Sequence, residues 1–193
     1  MIKHIFFDMV GVLAEERTES LTEEERIVFE AKDKYKFDED FYEHLKYVFE
    51  DKSEEEINEI VLSETRKSLM PINLDIIAKI YEYDPKIKIH VITNHISVAK
   101  QWFHENFPYG ISNVFTSGEI GVAKPSQYFF EYCLKKAGAN KEESLYIDDY
   151  IKNTEVANVY KYEVLGMQQP LPGVPPADPE QKIWAENILR GTE

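Results

Sequence analysis

The stretch Met1–Leu13 constrains the fold of this chain more than any other part of its sequence. Its apolar run Ile5–Phe7 ends in a carboxylate, Asp8, and the pattern breaks three residues later at Gly11. A continuous hydrophobic run bounded by a turn residue is typical of a buried parallel strand. We therefore expect Asp8 at the carboxyl end of the first strand, where open α/β sheets bind ligands. The alternative is an aspartate that only starts a turn.

A charged, glutamate-rich segment with helical patterning, residues 15–70, follows this strand. Thr22 with Glu25, and Ser53 with Glu56, have the spacing of capping boxes at the starts of helices. Acidic runs at these starts fit solvated helix faces and the helix dipole. Three helices with no predicted strand indicate a small helical insertion.

After Pro71 the pattern alternates between helix and strand. The predicted strands are residues 87–93, 114–115, 144–147 and 163–165. This alternation predicts an α/β fold with a Rossmann-like parallel sheet and right-handed crossovers. We predict a core of residues 1–14 and 71–193, with the helical insertion 15–70 as a cap.

The C-terminal part of the chain breaks this alternation. Residues 169–180 are rich in proline and predict an irregular arm. A short helix carrying Ile183, Trp184 and Ile188 is predicted after the arm. Its apolar stripe fits either packing on this core or contact with a second subunit.

Charge and cysteine content exclude several classes of protein. A formal net charge of −14 argues against nucleic acid or an anionic membrane as a partner. The single cysteine, Cys133, permits no intrachain disulfide and fits a reducing compartment. Its apolar neighbours favour a packing role over a nucleophilic one. The N-terminus lacks a signal-peptide pattern and no apolar run approaches membrane-spanning length, so we expect a cytoplasmic protein.

Polar side chains stand where four of the predicted strands or loops end. They are Asp8, Thr93 with Asn94, Lys124 before a proline, and Asp148 with Asp149. Each has a simpler interpretation: Thr93 and Asn94 as a turn, Lys124 as a loop lysine, and the paired acids as a helix cap. Because the carboxyl ends of parallel strands share one edge of the sheet, we expect these side chains to converge.

Converging carboxylates predict a bound cation. Carboxylates brought together repel one another, and a hard cation such as Mg²⁺ removes that repulsion while accepting oxygen ligands. Lys124 and the Thr93 hydroxyl would then hold a phosphate as negative charge develops on it. His95, directly after Asn94, could reach the same site, whereas His90 and His104 are expected to be packing or surface residues.

The order of these groups also resembles a known family. The segments FFDMVGVL, VITN, GVAKPSQYFFEYCLKKAG and LYIDDYIKNTEVAN are similar to the four motifs of the haloacid dehalogenase-like (HAD) hydrolase superfamily. The resemblance covers nearly the whole chain. The insertion matches the helical-cap position of the subgroup that contains sugar-phosphate phosphatases.

This resemblance implies a Mg²⁺-dependent phosphatase of a small phosphorylated metabolite. In the family's mechanism Asp8 would attack phosphorus and form an aspartyl phosphate that water then hydrolyses. Asp8, Asp149 and the backbone carbonyl of Val10 would hold Mg²⁺, with Asp148 as a ligand or as a support behind the ligands. The resemblance assigns phosphoryl binding to Thr93, Asn94 and Lys124.

Position 10 departs from the family pattern. Phosphatases of this family have an aspartate two residues after the nucleophile as general acid and base, a role worth about 10²–10⁴-fold in rate. Here that residue is Val10, which neither donates nor accepts a proton. His95, Glu15 or Glu16 are candidates to replace it. A second departure is Lys161, where the family usually has a helix-ending glycine.

Three functions are compatible with these residues. The leading one is a magnesium-dependent hydrolase of a small phosphorylated metabolite, weakened by Val10. The second is a catalytically weak relative kept as a binding protein, which Val10 favours. The third is carbon–halogen hydrolysis, against which stand the sequence Val10-Gly11-Val12 and the paired acids, since that reaction needs no metal.

Overall fold

The computed structural model describes residues 1–107, 110–159 and 163–166. The first half of the chain forms β1 (His4–Phe7), β2 (Ala14–Glu16), α1 (Glu23–Lys34), α2 (Asp38–Val48), α3 (Glu54–Ser68), β3 (Leu69–Pro71) and α4 (Leu74–Tyr83). The second half forms β4 (Lys88–Thr93), α5 (Ala99–Asn106), β5 (Ile111–Thr116), α6 (Ser117–Ile120), α7 (Gln127–Ala137), a 3₁₀ turn (Lys141–Glu143), β6 (Ser144–Asp148), α8 (Ile151–Val159) and β7 (Glu163–Gly166).

A parallel sheet of five strands in the order β5-β4-β1-β6-β7 forms the centre of the molecule. Phe7 on β1 is aligned with Val91 of β4 on one side and with Ile147 of β6 on the other. β4 and β5 lie on one side of β1, whereas β6 and β7 lie on the other. The strand order therefore reverses between β1 and β6, and sheets of this kind bind ligands at such a switch point. The predicted α/β fold is confirmed.

Alternating side chains of β1 bury both faces of this sheet. Ile5 and Phe7 pack with Trp102 in one apolar cluster, whereas Phe6 packs with Phe130 in another on the opposite side. All three β1 residues are fully buried. Because successive side chains of a strand point to opposite faces, a continuous apolar run is what a strand covered on both faces requires.

The insertion after β1 packs around an apolar cluster that includes Val28, Phe41, Leu45 and Val61 and that also contains Ile96 from beyond the insertion. Both predicted capping boxes are present. The Thr22 hydroxyl accepts a hydrogen bond from the Glu25 backbone N–H, and the equivalent pair at the start of α3 does the same. These caps satisfy backbone donors that a helix start leaves free.

Two short strands that the sequence pattern did not predict lie at the ends of the insertion. β2 and β3 pair antiparallel, with Ala14 opposite Pro71. Farther along, the Trp102 indole donates to the Leu69 carbonyl at 3.2 Å, and the Ser97 backbone N–H donates to Asp38 Oδ1 at 2.9 Å. The pairing and these contacts seat the helices against the sheet.

Other expectations differ in detail or fall outside the described residues. β5 is six residues long rather than two, and the short helix α6 follows it. Cys133 is buried. The proline-rich arm 169–180, the helix after it and Lys161 lie outside the described residues. Within the described ranges, no helix is both long and apolar enough to cross a bilayer.

A buried pair of histidines lies between β1 and β4. His4 Nδ1 is 3.0 Å from His90 Nε2, and the Asn113 amide nitrogen is 3.0 Å from His90 Nδ1. Because the Asn113 amide donates, Nδ1 of His90 accepts, and Nε2–H of His90 donates to His4. Burial and the nearby His4 lower the pKa of His90 to about 3. His90 is therefore held neutral in the folded state.

Acid should destabilise the protein through this pair. The unfolded chain binds a proton at His90 near its ordinary pKa of 6.5, while the folded chain resists protonation until about 3. The contribution of His90 to the free energy of unfolding should therefore be constant above about pH 6.5 and fall as the pH decreases, by about 2 kcal/mol between about pH 6.5 and pH 5. Urea unfolding across this range measures the fall.

The comparison that isolates His90 uses two variants. His90→Gln should show a smaller acid-dependent loss than the native protein, whereas His104→Gln, at an exposed helix position, should match the native protein. The raised pKa of Asp8 increases the free energy of unfolding as the pH falls, but it does so equally in all three proteins. Equal acid dependence in His90→Gln and native protein would contradict the assignment.

Candidate active site

The site begins where β1 and β6 end side by side. The Asp8 backbone N–H donates to the Ile147 carbonyl at 2.8 Å, so the residue after β1 stays in register with the last residues of β6. Asp148 ends β6 and is fully buried, and Asp8 is 9% exposed. Two carboxylates are thus held at one edge of the sheet by the strands themselves.

Lys124 joins these two carboxylates. Its Nζ lies 2.7 Å from Asp8 Oδ1 and 2.9 Å from Asp148 Oδ2. Asn94, just after β4, fixes the loop that carries the lysine: its side-chain oxygen accepts from the Lys124 N–H at 2.7 Å, and its amide donates to the Lys124 carbonyl at 2.9 Å. Residues far apart in the chain therefore form one connected polar cluster.

Asp148 is surrounded by donors on both of its oxygens. Oδ2 accepts from Lys124, from the Tyr146 hydroxyl and from the Asn153 amide, and Oδ1 accepts from the Tyr150 backbone N–H. Sequence reasoning did not identify Tyr146 or Asn153 as members of the site. A carboxylate with four donors is suited to hold Lys124 in place, and has little capacity left for a further ligand.

Three carboxylates face a single lysine in this cluster, and their pKa values reflect it. Burial raises the pKa of Asp8 to about 6, against the opposing charge of Lys124. Burial and the charge of Asp148 raise the pKa of Asp149. Burial lowers the pKa of Lys124, but Asp8 and Asp148 outweigh it and the net shift is upward. Lys124 is therefore charged, and its single positive charge is too little to neutralise three carboxylates.

The donor set fits a divalent cation. Asp8, Asp148 and Asp149 each offer an oxygen, and these oxygens lie within 4.8 Å of one another. Gly11, at a φ of +84°, allows Asp149 to approach, since a Cβ there would lie 2.1 Å from Asp149 Oδ2. With Asp148 occupied by protein donors, Asp8 and Asp149 are the carboxylates that fit a cation best.

Thr93 and Val10 lie at the same edge as the acids. Thr93 is the last residue of β4 and is buried, one residue before Asn94. Val10 follows Asp8 by two residues and lines a cavity of about 190 Å³, together with Glu16 and His95. Glu15 is instead exposed and pairs with Arg17.

His95 has a defined protonation state beside this cavity. Burial, together with the charge of Lys32, lowers the pKa of His95 to about 3. Its Nδ1 is 3.1 Å from the Ile96 carbonyl, so Nδ1 carries the proton and Nε2 is an acceptor. Glu16 also lines the cavity, and burial raises its pKa.

Comparison with protein families gives a match that spans most of the chain. The model of the haloacid dehalogenase-like hydrolases matches residues 2–158. Among curated proteins, a glyceraldehyde 3-phosphate phosphatase from Methanocaldococcus jannaschii is 38% identical over 69 residues. That match spans 34% of this chain and 29% of the relative, well under two thirds of its length.

Solved structures share the fold at low sequence identity. A HAD family enzyme from Bacteroides thetaiotaomicron, crystallised with magnesium and inorganic phosphate, is 18% identical with a TM-score of 0.65, covering 92% of this chain and 98% of its own. A predicted HAD-like family hydrolase from Porphyromonas gingivalis is 20% identical with a TM-score of 0.61, covering 85% and 90%. L-2-haloacid dehalogenase from Xanthobacter autotrophicus is 16% identical with a TM-score of 0.57, covering 100% and 84%.

Proposed function

Because the chain belongs to the haloacid dehalogenase-like hydrolases, we propose that this hydrolase is a Mg²⁺-dependent phosphatase that uses Asp8 as its nucleophile. The observation that carries the proposal is Lys124, whose Nζ lies within 2.9 Å of both Asp8 and Asp148. A buried cation beside a carboxylate nucleophile is suited to stabilise a phosphoryl group under attack. We further propose residues 15–70 as the cap that covers this edge.

In the first step, a carboxylate oxygen of Asp8 attacks phosphorus and the bond from phosphorus to the ester oxygen breaks. Lys124 and the Thr93 hydroxyl bind the phosphoryl oxygens, and Asn94 positions Lys124 through its two backbone hydrogen bonds. The leaving group departs as an alkoxide that takes a proton from solvent, because position 10 supplies none. A good leaving group should therefore react fastest.

In the second step, a water oxygen attacks the phosphorus of the aspartyl phosphate, and the bond to Asp8 breaks. The carboxylate is restored, the water loses a proton and inorganic phosphate leaves. With valine at position 10 this water has no base of the usual kind, so hydrolysis of the intermediate should limit turnover. Mg²⁺ would be held by Asp8, Asp149 and the Val10 carbonyl, and would supply positive charge to the phosphoryl oxygens.

The carbon–halogen alternative is less well supported by the same cluster. Three carboxylate oxygens within 4.8 Å match a cation site, for which that chemistry has no need. The relative named for a phosphate ester supports the phosphatase. A cytoplasmic location and the absence of nucleic-acid partners stay predictions from composition.

Release of p-nitrophenol from p-nitrophenyl phosphate tests the proposal. We expect release that depends on added Mg²⁺ and stops with a chelator. Chloride release from 2-chloropropionate, followed in parallel, should stay at background. Release of p-nitrophenol at background with Mg²⁺ would favour the second function, a binding protein that retains the family's site.

Gly11→Ala should weaken cation binding strongly. A Cβ at this position would lie 2.1 Å from Asp149 Oδ2 and 2.6 Å from its Cγ, so Asp149 must move away. We expect Mg²⁺ affinity to fall by about tenfold or more, since one of two carboxylate ligands is displaced. Isothermal titration calorimetry measures this affinity.

Gly138→Ala is the matched control for this variant. Gly138 also has a positive φ, +64°, but nothing lies within 4 Å of a Cβ built there. Both variants therefore carry the backbone strain of a side chain at positive φ, about 1 kcal/mol, and only Gly11→Ala disturbs Asp149. Equal Mg²⁺ affinities in the two variants would overturn the role given to Asp149.

A further inference from the structure

A small cavity lies between α1 of the insertion and the edge of the sheet that carries Asp8. Its volume is about 190 Å³, and Val10 and Asn94 line it from the sheet side. Val10 is two residues from Asp8, and Asn94 holds the Lys124 backbone. The cavity therefore adjoins the proposed site of phosphoryl transfer, where the rest of a substrate must lie. It is smaller than the 300–1,000 Å³ or so of typical ligand pockets.

Lys32 of α1 lines this cavity in a fixed position. Its Nζ lies 2.6 Å from Glu64 Oε2 and 3.5 Å from His95 Nε2, and the lysine and glutamate side chains are 8% and 0% exposed. Glu64 Oε1 has no hydrogen-bond partner among the described residues, and Lys32 is the cation among them that pairs with this buried carboxylate. An ammonium has three N–H donors, and Glu64 and His95 account for two of them.

Charges around the cavity are balanced or slightly negative. Glu64 neutralises Lys32, and Lys36 has its own partner in Asp33 at 3.7 Å. Glu16 adds a further carboxylate to the lining. A leaving group with its own negative charge would meet no uncompensated cation here. A neutral group with hydroxyls suits the lining, which offers both donors and acceptors.

We infer that Lys32 is a specificity-determining residue that donates its third N–H to a hydroxyl or carbonyl oxygen of a small, uncharged leaving group. The inference rests on the proposed phosphatase function. Lys32 is then one hydrogen-bond donor on the cap side of the site, held in position by Glu64 and His95. Bisphosphates and phosphorylated acids are excluded as preferred substrates.

Two three-carbon phosphate esters test the choice of leaving group in the native protein. Glycerol 3-phosphate and 3-phosphoglycerate are similar in size and differ in the group at the far carbon, which is a hydroxymethyl in the first and a carboxylate in the second. We expect kcat/KM to be at least about tenfold higher for glycerol 3-phosphate, because the carboxylate of 3-phosphoglycerate would lose its hydration beside Glu16 and a lysine already neutralised by Glu64. A preference for 3-phosphoglycerate, or equal values, would overturn the inference.

Variants of Lys32 test the residue itself. Lys32→Met should lower kcat/KM for glycerol 3-phosphate by about tenfold, mainly through KM. It should change p-nitrophenyl phosphate hydrolysis much less, because the aromatic leaving group has no hydroxyl for Lys32. Lys34→Met, an exposed lysine on the same helix, is the control and should match the native protein with both substrates. Identical behaviour of the two variants would contradict the role of Lys32.

Loss of Lys32 alone leaves the charge of Glu64 buried, which can unfold the insertion. The double variant Lys32→Met, Glu64→Gln removes both charges, and should fold and show the same loss on glycerol 3-phosphate. The p-nitrophenyl phosphate assay separates the two proposals. Absent release in native protein contradicts the phosphatase, whereas release without discrimination between the three-carbon esters contradicts only the role of Lys32.

Discussion

Asp8→Asn should slow p-nitrophenol release by about 10³-fold or more, because an amide cannot serve as the attacking group in covalent catalysis. The substitution keeps the shape of the side chain and its hydrogen bond with the Met9 backbone N–H. Lys124 loses the negative charge of one partner but retains Asp148 at 2.9 Å. The site should therefore remain assembled while its nucleophile is absent.

Thermal unfolding is the control for this variant. Burial raises the pKa of Asp8 to about 6. At a pH above that value, keeping this carboxylate charged in the folded protein costs free energy. A neutral amide removes the cost, so the midpoint of Asp8→Asn should not fall far below that of the native protein. A folded variant that still releases p-nitrophenol at the native rate would show that Asp8 is not the nucleophile.

The convergence of Asp8, Lys124 and Asp148 could be predicted from the sequence because parallel strands bring their carboxyl ends together. Asp8, Lys124 and Asp148 are far apart in the chain, yet each follows a recognisable strand or turn signal, and the structure joins all three by contacts of 2.9 Å or less. The order of strands in the sheet does not need to be known for that convergence to be expected.

Other contacts around this edge of the sheet carried no such signal. Tyr146 lies inside an apolar strand, where its ring predicts packing, and its hydrogen bond to Asp148 depends on the neighbouring elements. Lys32 and Glu64 lie on different helices of the insertion, and nothing in either helix pattern predicts that the two would meet at 2.6 Å. Contacts of this kind are set by tertiary packing rather than by local spacing.

Elements were missed for a related reason. β2 contains two glutamates, residues that are uncommon in strands, and only pairing with β3 makes it a strand. β5 is at the edge of the sheet, and its first half is only partly buried. An edge strand with partly exposed side chains lacks the continuous apolar run that marked β1 and β4.

Val10→Asp should raise turnover relative to the native protein by at least about tenfold, with the 10²–10⁴-fold typical of general acid–base catalysis as the full effect. The side chain is partly exposed and lines the cavity beside the site, so an aspartate can be accommodated next to the proposed site of phosphoryl transfer. If hydrolysis of the aspartyl phosphate limits the native protein, the native reaction should show a burst of p-nitrophenol before the steady state. The variant should lose that burst.

Val10→Asn separates proton transfer from a change of polarity. Asparagine has nearly the shape of aspartate but no proton to exchange near neutral pH, so its steady-state rate should stay close to that of the native protein. Equal acceleration by both variants would attribute the gain to polarity or hydration of the cavity. No acceleration by Val10→Asp would mean that His95 or Glu16, which line the same cavity, already assist the reaction. In that case, substituting His95 or Glu16 in the native protein would lower the rate. If they do not assist, the same substitutions should leave the rate unchanged.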